Sequence, residues 1–212
     1  MRPHRLLPLL GLLIACNPGP SSQPADGPAV REIKTTPVHV GPALNEPLPA
    51  EAQTAKLIDQ DGKPRTLKGE DGTVRVLSFF YRCCNDVKMC PALTSNLTDA
   101  AGRLSAEERR DTRVFLISFD PERDTPDKLK EHALKLRLDP ASMWLLTGPV
   151  DEVRKVSDAC MVWFLKEQGD ISHNIITSVL DRKGVVRAVF RGSDFDGAEL
   201  LKAVRAARKQ SE

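Results

Sequence analysis

The sequence predicts an α/β fold, and three observations carry that reading. Two near-continuous apolar runs, Val74 to Phe80 and Arg113 to Phe119, have the pattern of strands buried on both faces of a helix-covered sheet. Segments with apolar residues at helical spacing lie between and after them, so strand and helix alternate. The last third carries two further apolar runs around a turn and then one more helical stretch.

The first 15 residues place Arg2 and Arg5 ahead of the apolar stretch Leu6 to Ala15, which is too short to span a bilayer and has the form of a signal peptide. Leu13-Ile14-Ala15-Cys16 resembles a bacterial lipobox, whose cysteine is acylated and becomes the new N-terminus. The expected location is therefore the cell envelope, with Cys16 holding the protein on a membrane and the chain facing the periplasm. Asn17, rather than Asp, favours the outer membrane. Residues 16–50 are rich in Pro, Gly, Ser and Ala with little apolar periodicity, and they read as a flexible tether. Residues 51–212 are enough for one domain with its own core. Loss of residues 1–15 removes two of the 31 basic residues and none of the 29 acidic ones, so there is no electrostatic case for nucleic acid.

Within the domain, Leu57 to Leu67 carries the turn signal Asp61-Gly62 between two short apolar ends and predicts a β-hairpin. Val74 to Phe80 is the first core strand. Pro91 at a first helical position starts a helix to about Leu104, with Leu93, Leu97, Ala100, Ala101 and Leu104 on one face. Arg113 to Phe119 is the second core strand, ending at the loop Asp120-Pro121-Glu122-Arg123-Asp124. Thr125, Pro126 and Asp127 form a helix start, and that helix reaches about Leu136. Ser142 to Leu146 reads as a short strand, and Val150 to Ala159 as a helix that turns Val153, Val156 and Cys160 inward. Ile175 to Leu180 and Val185 to Phe190 form a hairpin around Asp181-Arg182-Lys183-Gly184, and a closing helix runs from Asp196 to Arg208. This is the element order of a thioredoxin-like fold with an N-terminal β-hairpin.

Cys84 and Cys90 sit where a strand hands over to a helix, with five residues between them. There the unpaired N–H groups and positive end of the helix dipole favour thiolate, which is both nucleophile and metal ligand. With His173 they make a soft, three-coordinate set that suits Cu(I); Cu(II) could be held with an added oxygen ligand, and zinc would want a fourth ligand. The same sulfurs can close a disulfide, so Cys84 and Cys90 could instead act as a catalytic redox dithiol. In an oxidising compartment either role calls for a periplasmic thiol reductant. Cys83 and Cys84 should point in opposite directions along an extended segment, and only one can face His173. Cys160 reads as a small buried hydrophobe, His132 as a surface residue on a charged helix, Met89 as loop surface, and Trp144 and Trp163 as core.

Four stretches together resemble a known family: Asp59-Gln60-Asp61-Gly62-Lys63-Pro64; the Phe79-Phe80-Tyr81 strand end running into Cys84 and Cys90-Pro91; Ser118-Phe119-Asp120-Pro121-Glu122-Arg123-Asp124-Thr125-Pro126; and Ser172-His173 before Leu180-Asp181-Arg182-Lys183-Gly184. Over roughly residues 45–205 the chain resembles the Sco/SenC group, copper-binding thioredoxin-like proteins associated with assembly of the dinuclear copper site of cytochrome c oxidase. The resemblance implies copper held by Cys84, Cys90 and His173, with Asp120 orienting the site. It also implies the oxidase subunit that carries the dinuclear site as partner. The usual motif has three residues between its cysteines and a Pro after the first; here there are five, and Asn85 follows. His173 stands near the place where disulfide oxidoreductases carry a peptide-clamping Pro. The leading function is thus a copper carrier rather than an enzyme, and the alternative is a thiol–disulfide oxidoreductase. Peroxide reduction lacks its Pro/Thr cluster, because Phe80, Tyr81, Arg82 and Cys83 occupy those places.

The lipobox makes one expectation directly measurable. Cys16→Ser should leave the precursor unlipidated and move the protein out of the membrane fraction, since each buried acyl methylene contributes about 0.8 kcal/mol to anchoring. Unchanged membrane partition of the variant would remove the lipid anchor.

Overall fold

A computed structural model of the chain describes residues 45–68, 72–167 and 170–210. The expected signal peptide, Cys16 and the tether up to residue 44 lie outside them. In chain order the elements are α1 (Ala50–Gln53), β1 (Leu57–Asp59), β2 (Pro64–Arg65), β3 (Val74–Phe80), α2 (Cys90–Gly102), α3 (Ala106–Arg110), β4 (Thr112–Ser118), α4 (Pro126–Lys135) and β5 (Met143–Thr147). There follow α5 (Val150–Ala159), β6 (Phe164–Glu167), β7 (Asp170–His173), β8 (Ile176–Leu180), β9 (Val186–Arg191) and α6 (Gly197–Lys209). Seven strands form one sheet in the order β2-β1-β5-β4-β3-β8-β9, and β6 and β7 form a separate pair.

All seven residues of β3 are buried, as expected of a strand covered on both faces. It runs parallel to β4, from Val74 opposite Thr112 to Phe80 opposite Ser118, and antiparallel to β8. Helix α6 packs on β3, β8 and β9 and against α2. Its Leu200, Leu201 and Val204 meet Leu97 and Leu104 of the α2 segment over Val76 and Val114. Helix α4 packs on β5, and α1 on α5. Arg75 sits within this strand at 1% exposure. Its guanidinium donates to the carbonyl oxygens of Leu67, Asp181 and Arg182, the last two at 3.0 Å. A buried guanidinium is tolerable when carbonyls take its donors, and here they tie β3 to the β8–β9 turn.

The chain already packs on the domain from Asn45 onward. The Asn45 N–H donates to the Val186 carbonyl at 2.7 Å and the Leu48 N–H to the Gly184 carbonyl at 3.1 Å. Gly184 takes a positive φ of 79°, which lets that turn close tightly. Besides the single-turn helix α1, two elements differ from expectation by being present at all. One is α3, started by a capping box: Ser105 Oγ accepts from the Glu108 N–H at 3.2 Å, and Glu108 Oε2 accepts from the Ser105 N–H at 2.9 Å. The other is the β6–β7 hairpin, whose four-residue strands are too short to show periodicity.

Glu108 also accepts from Arg205 Nε at 2.7 Å, joining α3 to α6. That hydrogen bond, with the Ser105 N–H, holds its carboxyl down at about 2. Its folded pKa thus lies below its unfolded value, so the contribution to stability is complete above about pH 4.5 and is lost as pH falls towards 2. Arg205 is half exposed, and solvent screening limits the pair. Glu108→Gln should therefore cost about 1 kcal/mol in urea denaturation at pH 7, a difference that disappears near pH 2. An unchanged difference at both pH values would show that the carboxylate charge has no part in it.

Candidate metal centre

Strand β3 ends at Phe80, and residues 81–89 loop across to α2. The loop is anchored at its origin: the Arg82 N–H donates to Asp124 Oδ2 at 2.9 Å, and Ser118 Oγ donates to the same oxygen at 2.6 Å. Asp124 is fully buried, and that burial pushes its carboxyl up. Further along, Asp86 Oδ1 accepts from the Lys88 N–H at 2.9 Å and the Asp86 carbonyl accepts from the Met89 N–H at 3.0 Å. These turns deliver Cys90 as the first residue of α2, with Pro91 in the first turn.

His173 ends β7, opposite Phe164 of β6. Its ring lies 4.8 Å from that of Phe119 and edge-on to Tyr81 at 5.8 Å. Its Nδ1 is 2.9 Å from the Asn174 carbonyl oxygen. A carbonyl can only accept, so this contact assigns the proton to Nδ1 and leaves the Nε2 lone pair for the site. Nε2 stands 3.7 Å from Cys90 Sγ. The ligand atoms of Cys84, Cys90 and His173 all lie within 4.8 Å of one another. Bonds of about 2.0–2.3 Å to a trigonal metal separate its donors by about 3.5–4.0 Å, so small inward shifts would close this set around one ion.

The two thiols are electrostatically unlike. The hydrogen bond from Cys90 pulls Cys84 down to about 4, with His173 adding to the effect against the opposing cost of burial. The same hydrogen bond, with burial, pushes Cys90 up. One proton is thus held between two sulfurs, mostly on the buried one. Cys84 is half-buried, whereas Cys90 and His173 are 3% and 8% exposed, so the set meets solvent through Cys84. A cavity of about 440 Å³ opens beside the thiols, lined in part by Tyr81, Thr94, His132 and Leu136.

Cys84 is the member of the adjacent pair that converges with Cys90 and His173; Cys83 is buried in the apolar core. Asp120 is 1% exposed and pairs with Arg123 and, at 3.0 Å, with Lys166 of β6. It therefore touches the hairpin that carries His173 and not the three ligand atoms. Cys160 is buried, and that burial pushes its thiol up to about 12. His132 departs from the surface expectation. It is half-buried and stacks on Phe80 at 6.1 Å, because α4 lies against the end of β3. Trp163 departs from the core expectation, with 56% exposure at the start of the hairpin. Tyr81 and Asp124 entered the sequence reading only as parts of longer motifs, with no role of their own, and no local signal marks Asp170.

Residues 48–209 match the profile of the SCO1/SenC family. A SCO1 protein homolog of Bacillus subtilis is 33% identical over 51% of this chain and 54% of its own, so the match spans about half of that relative's length. Among solved structures, copper-bound ScoI of Arabidopsis thaliana aligns with a TM-score of 0.63 at 25% identity, over 79% of this chain and 99% of that one. BsSco, a member of the Sco family of cytochrome c oxidase assembly proteins in which a disulfide switch was identified, aligns with a TM-score of 0.64 at 26% identity, over 77% and 96%. The family profile spans most of the sequence and includes the convergent thiol–imidazole set, and the chain belongs to the SCO1/SenC family.

Proposed function

We propose that this chain is a lipid-anchored copper-binding protein of the cell envelope that delivers or buffers copper for the dinuclear site of cytochrome c oxidase. The observation that carries the reading is the convergence of Cys84, Cys90 and His173 within 4.8 Å. Two sulfurs and one nitrogen favour Cu(I), and an added oxygen ligand would allow Cu(II). Copper-bound Arabidopsis ScoI and the cytochrome c oxidase assembly family of BsSco support copper as the metal and oxidase assembly as the setting, and the oxidase subunit with the dinuclear site is the proposed partner. Anchoring through Cys16 and a periplasm-facing location rest on the lipobox.

Metal loading follows from the protonation of the pair. Cys84 offers a thiolate at once, and the proton retained by Cys90 leaves as the second sulfur binds. Asn174 keeps the His173 ring turned so that Nε2 faces the ion. The half-buried Cys84 is the donor that an incoming ligand of the acceptor would meet first, which suits a carrier that must let go.

The low pKa of Cys84 also supports a second reading, a thiol–disulfide oxidoreductase. Cys84 thiolate attacks a partner disulfide, releasing one partner thiolate. Cys90 then displaces the other, leaving the partner dithiol and a Cys84–Cys90 disulfide. A periplasmic thiol reductant supplies the two electrons that restore the dithiol, in this role as in the carrier's.

Titration with Cu(I) against a competing chelator tests the first reading. Cys84→Ala, Cys90→Ala and His173→Ala should each lose at least about 100-fold in affinity, more than typical losses from outer-sphere changes. Cys160→Ala and Cys83→Ser should bind as the unmodified protein does. Full affinity in any of the first three variants overturns the ligand set, and failure of Cys83→Ser would move the first ligand by one residue. His173→Ala should still form the disulfide. Rapid reduction of a model protein disulfide without measurable Cu(I) affinity would reverse the order of the two readings.

The thiolate has its own pH signature. With Cys84 at about 4, its alkylation by iodoacetamide in the reduced protein should be nearly flat from pH 5.5 to 8.5. Over the same range an ordinary thiol with pKa about 8.5 gains several hundred-fold in thiolate. A rate that climbs with the ordinary thiol would refute the shared proton.

A further inference from the structure

We propose that Tyr81 and Asp170 are positioning residues that clasp the β6–β7 hairpin and so set His173 against the two thiols. This inference rests on the copper reading for its consequence, but the clasp itself can be measured without metal. Among the described strands, β6 and β7 pair only with each other, so no ladder of main-chain hydrogen bonds joins them to the sheet that carries the cysteines. The hairpin packs through Phe164 and Ile171, with Phe164 stacked on Phe119 at 5.0 Å. Apolar contact of this kind is non-directional and does not by itself fix where His173 Nε2 lies.

Tyr81 supplies direction. It is the first residue beyond β3, and it belongs to the same loop as Cys84. Its hydroxyl donates to Asp170 Oδ1, on the first residue of β7, and that oxygen also accepts from the Ile171 N–H at 2.8 Å. Its ring meets the His173 ring edge-on at 5.8 Å and the Phe119 ring at 6.3 Å. One side chain on the cysteine loop therefore holds β7 at two points, its first residue and its last. A hydrogen bond to a carboxylate is short, strong and directional, and so fixes distance and angle together. Two other fasteners are looser: Lys166, which pairs with Asp120 and Glu122, is 41% exposed, and Arg154 lies over the Phe164 ring at 4.7 Å. Metal ligands must be placed to within about 0.2 Å, a demand that non-directional apolar packing and an ion pair from a 41% exposed lysine do not meet alone.

The test uses the mature full chain with Tyr81→Phe, Asp170→Ala and the double variant. Tyr81→Phe keeps the ring and its contacts, and Asp170 is exposed, so neither change removes core packing. In the reduced metal-free protein, amide exchange at residues 171–173 should accelerate at least about tenfold in either variant, while that of β3 and β8 stays unchanged. Cu(I) affinity should fall about 10- to 100-fold in either, with the double variant no worse than Tyr81→Phe alone, because that change already removes the bond to Asp170 together with the hydroxyl's contact with Cys84. The Cu(II)–thiolate absorption band should shift in both. Unchanged hairpin exchange, or losses that multiply in the double variant, overturn the clasp. If the unmodified protein binds no copper, the carrier reading falls while metal-free exchange still decides the clasp; if it binds copper and exchange does not respond, the clasp alone falls.

Discussion

Both cysteines of the candidate site, and Tyr81 beside them, hang from the end of β3, so the burial of that strand on both faces is the constraint on which the rest depends. Its seven buried residues lie between parallel β4 and antiparallel β8. The strand cannot slide by one residue without driving Arg75 off the three carbonyls that satisfy it and turning each apolar side chain to the opposite face. Tyr81, Cys84 and, through α2, Cys90 inherit that fixed origin. Asp124 extends the constraint one step further. Its buried carboxylate accepts from both Ser118 at the end of β4 and the Arg82 N–H at the start of the loop.

The site combines a rigid half and a borrowed half. The cysteines are tied to the seven-stranded sheet, whereas the histidine arrives on a hairpin with its own two-stranded pairing. Phe119, which follows β4, is the shared wall, touching the rings of Phe164, His173, Tyr81 and Phe79. This division suits a protein that must gather three ligands around an ion and later release it. Breaking a site whose third donor sits on a separate hairpin disturbs little of the core.

The chemistry of the sulfurs follows first from the hydrogen bond they share and then from their unequal burial. Water reaches Cys84, where a negative charge can be solvated, while Cys90 lies in a low-dielectric environment that favours the neutral thiol. A proton shared in this sense prepares one strong nucleophile and one latent ligand. That asymmetry serves metal capture and thiol exchange alike. His173 adds a nitrogen lone pair beside the two sulfurs, the third donor that the copper reading uses.

Periodicity and turn chemistry made most of the fold legible in the sequence. The hairpin at Asp61-Gly62, the two central strands, α2, α4, α5, the β8–β9 pair and α6 all announce themselves by local pattern, since apolar spacing and capping residues act over a few positions. Cys84 and Cys90 were marked by their chemistry at a strand–helix junction, and distant His173 was joined to them through the resemblance carried by Ser172-His173. The β6–β7 hairpin, the Asp124 anchor, the Tyr81–Asp170 bond and the burial of His132 were not. The hairpin rests on four-residue strands too short to show a period, and the other three depend on residues tens of positions apart meeting, which no local pattern encodes. By itself the sequence determined the elements and the kind of chemistry, through short-range sterics and hydrophobic spacing. Only the tertiary structure decided how the proton of the two thiols is divided and what holds the histidine in place, because burial and hydrogen-bond geometry exist only once the chain has packed.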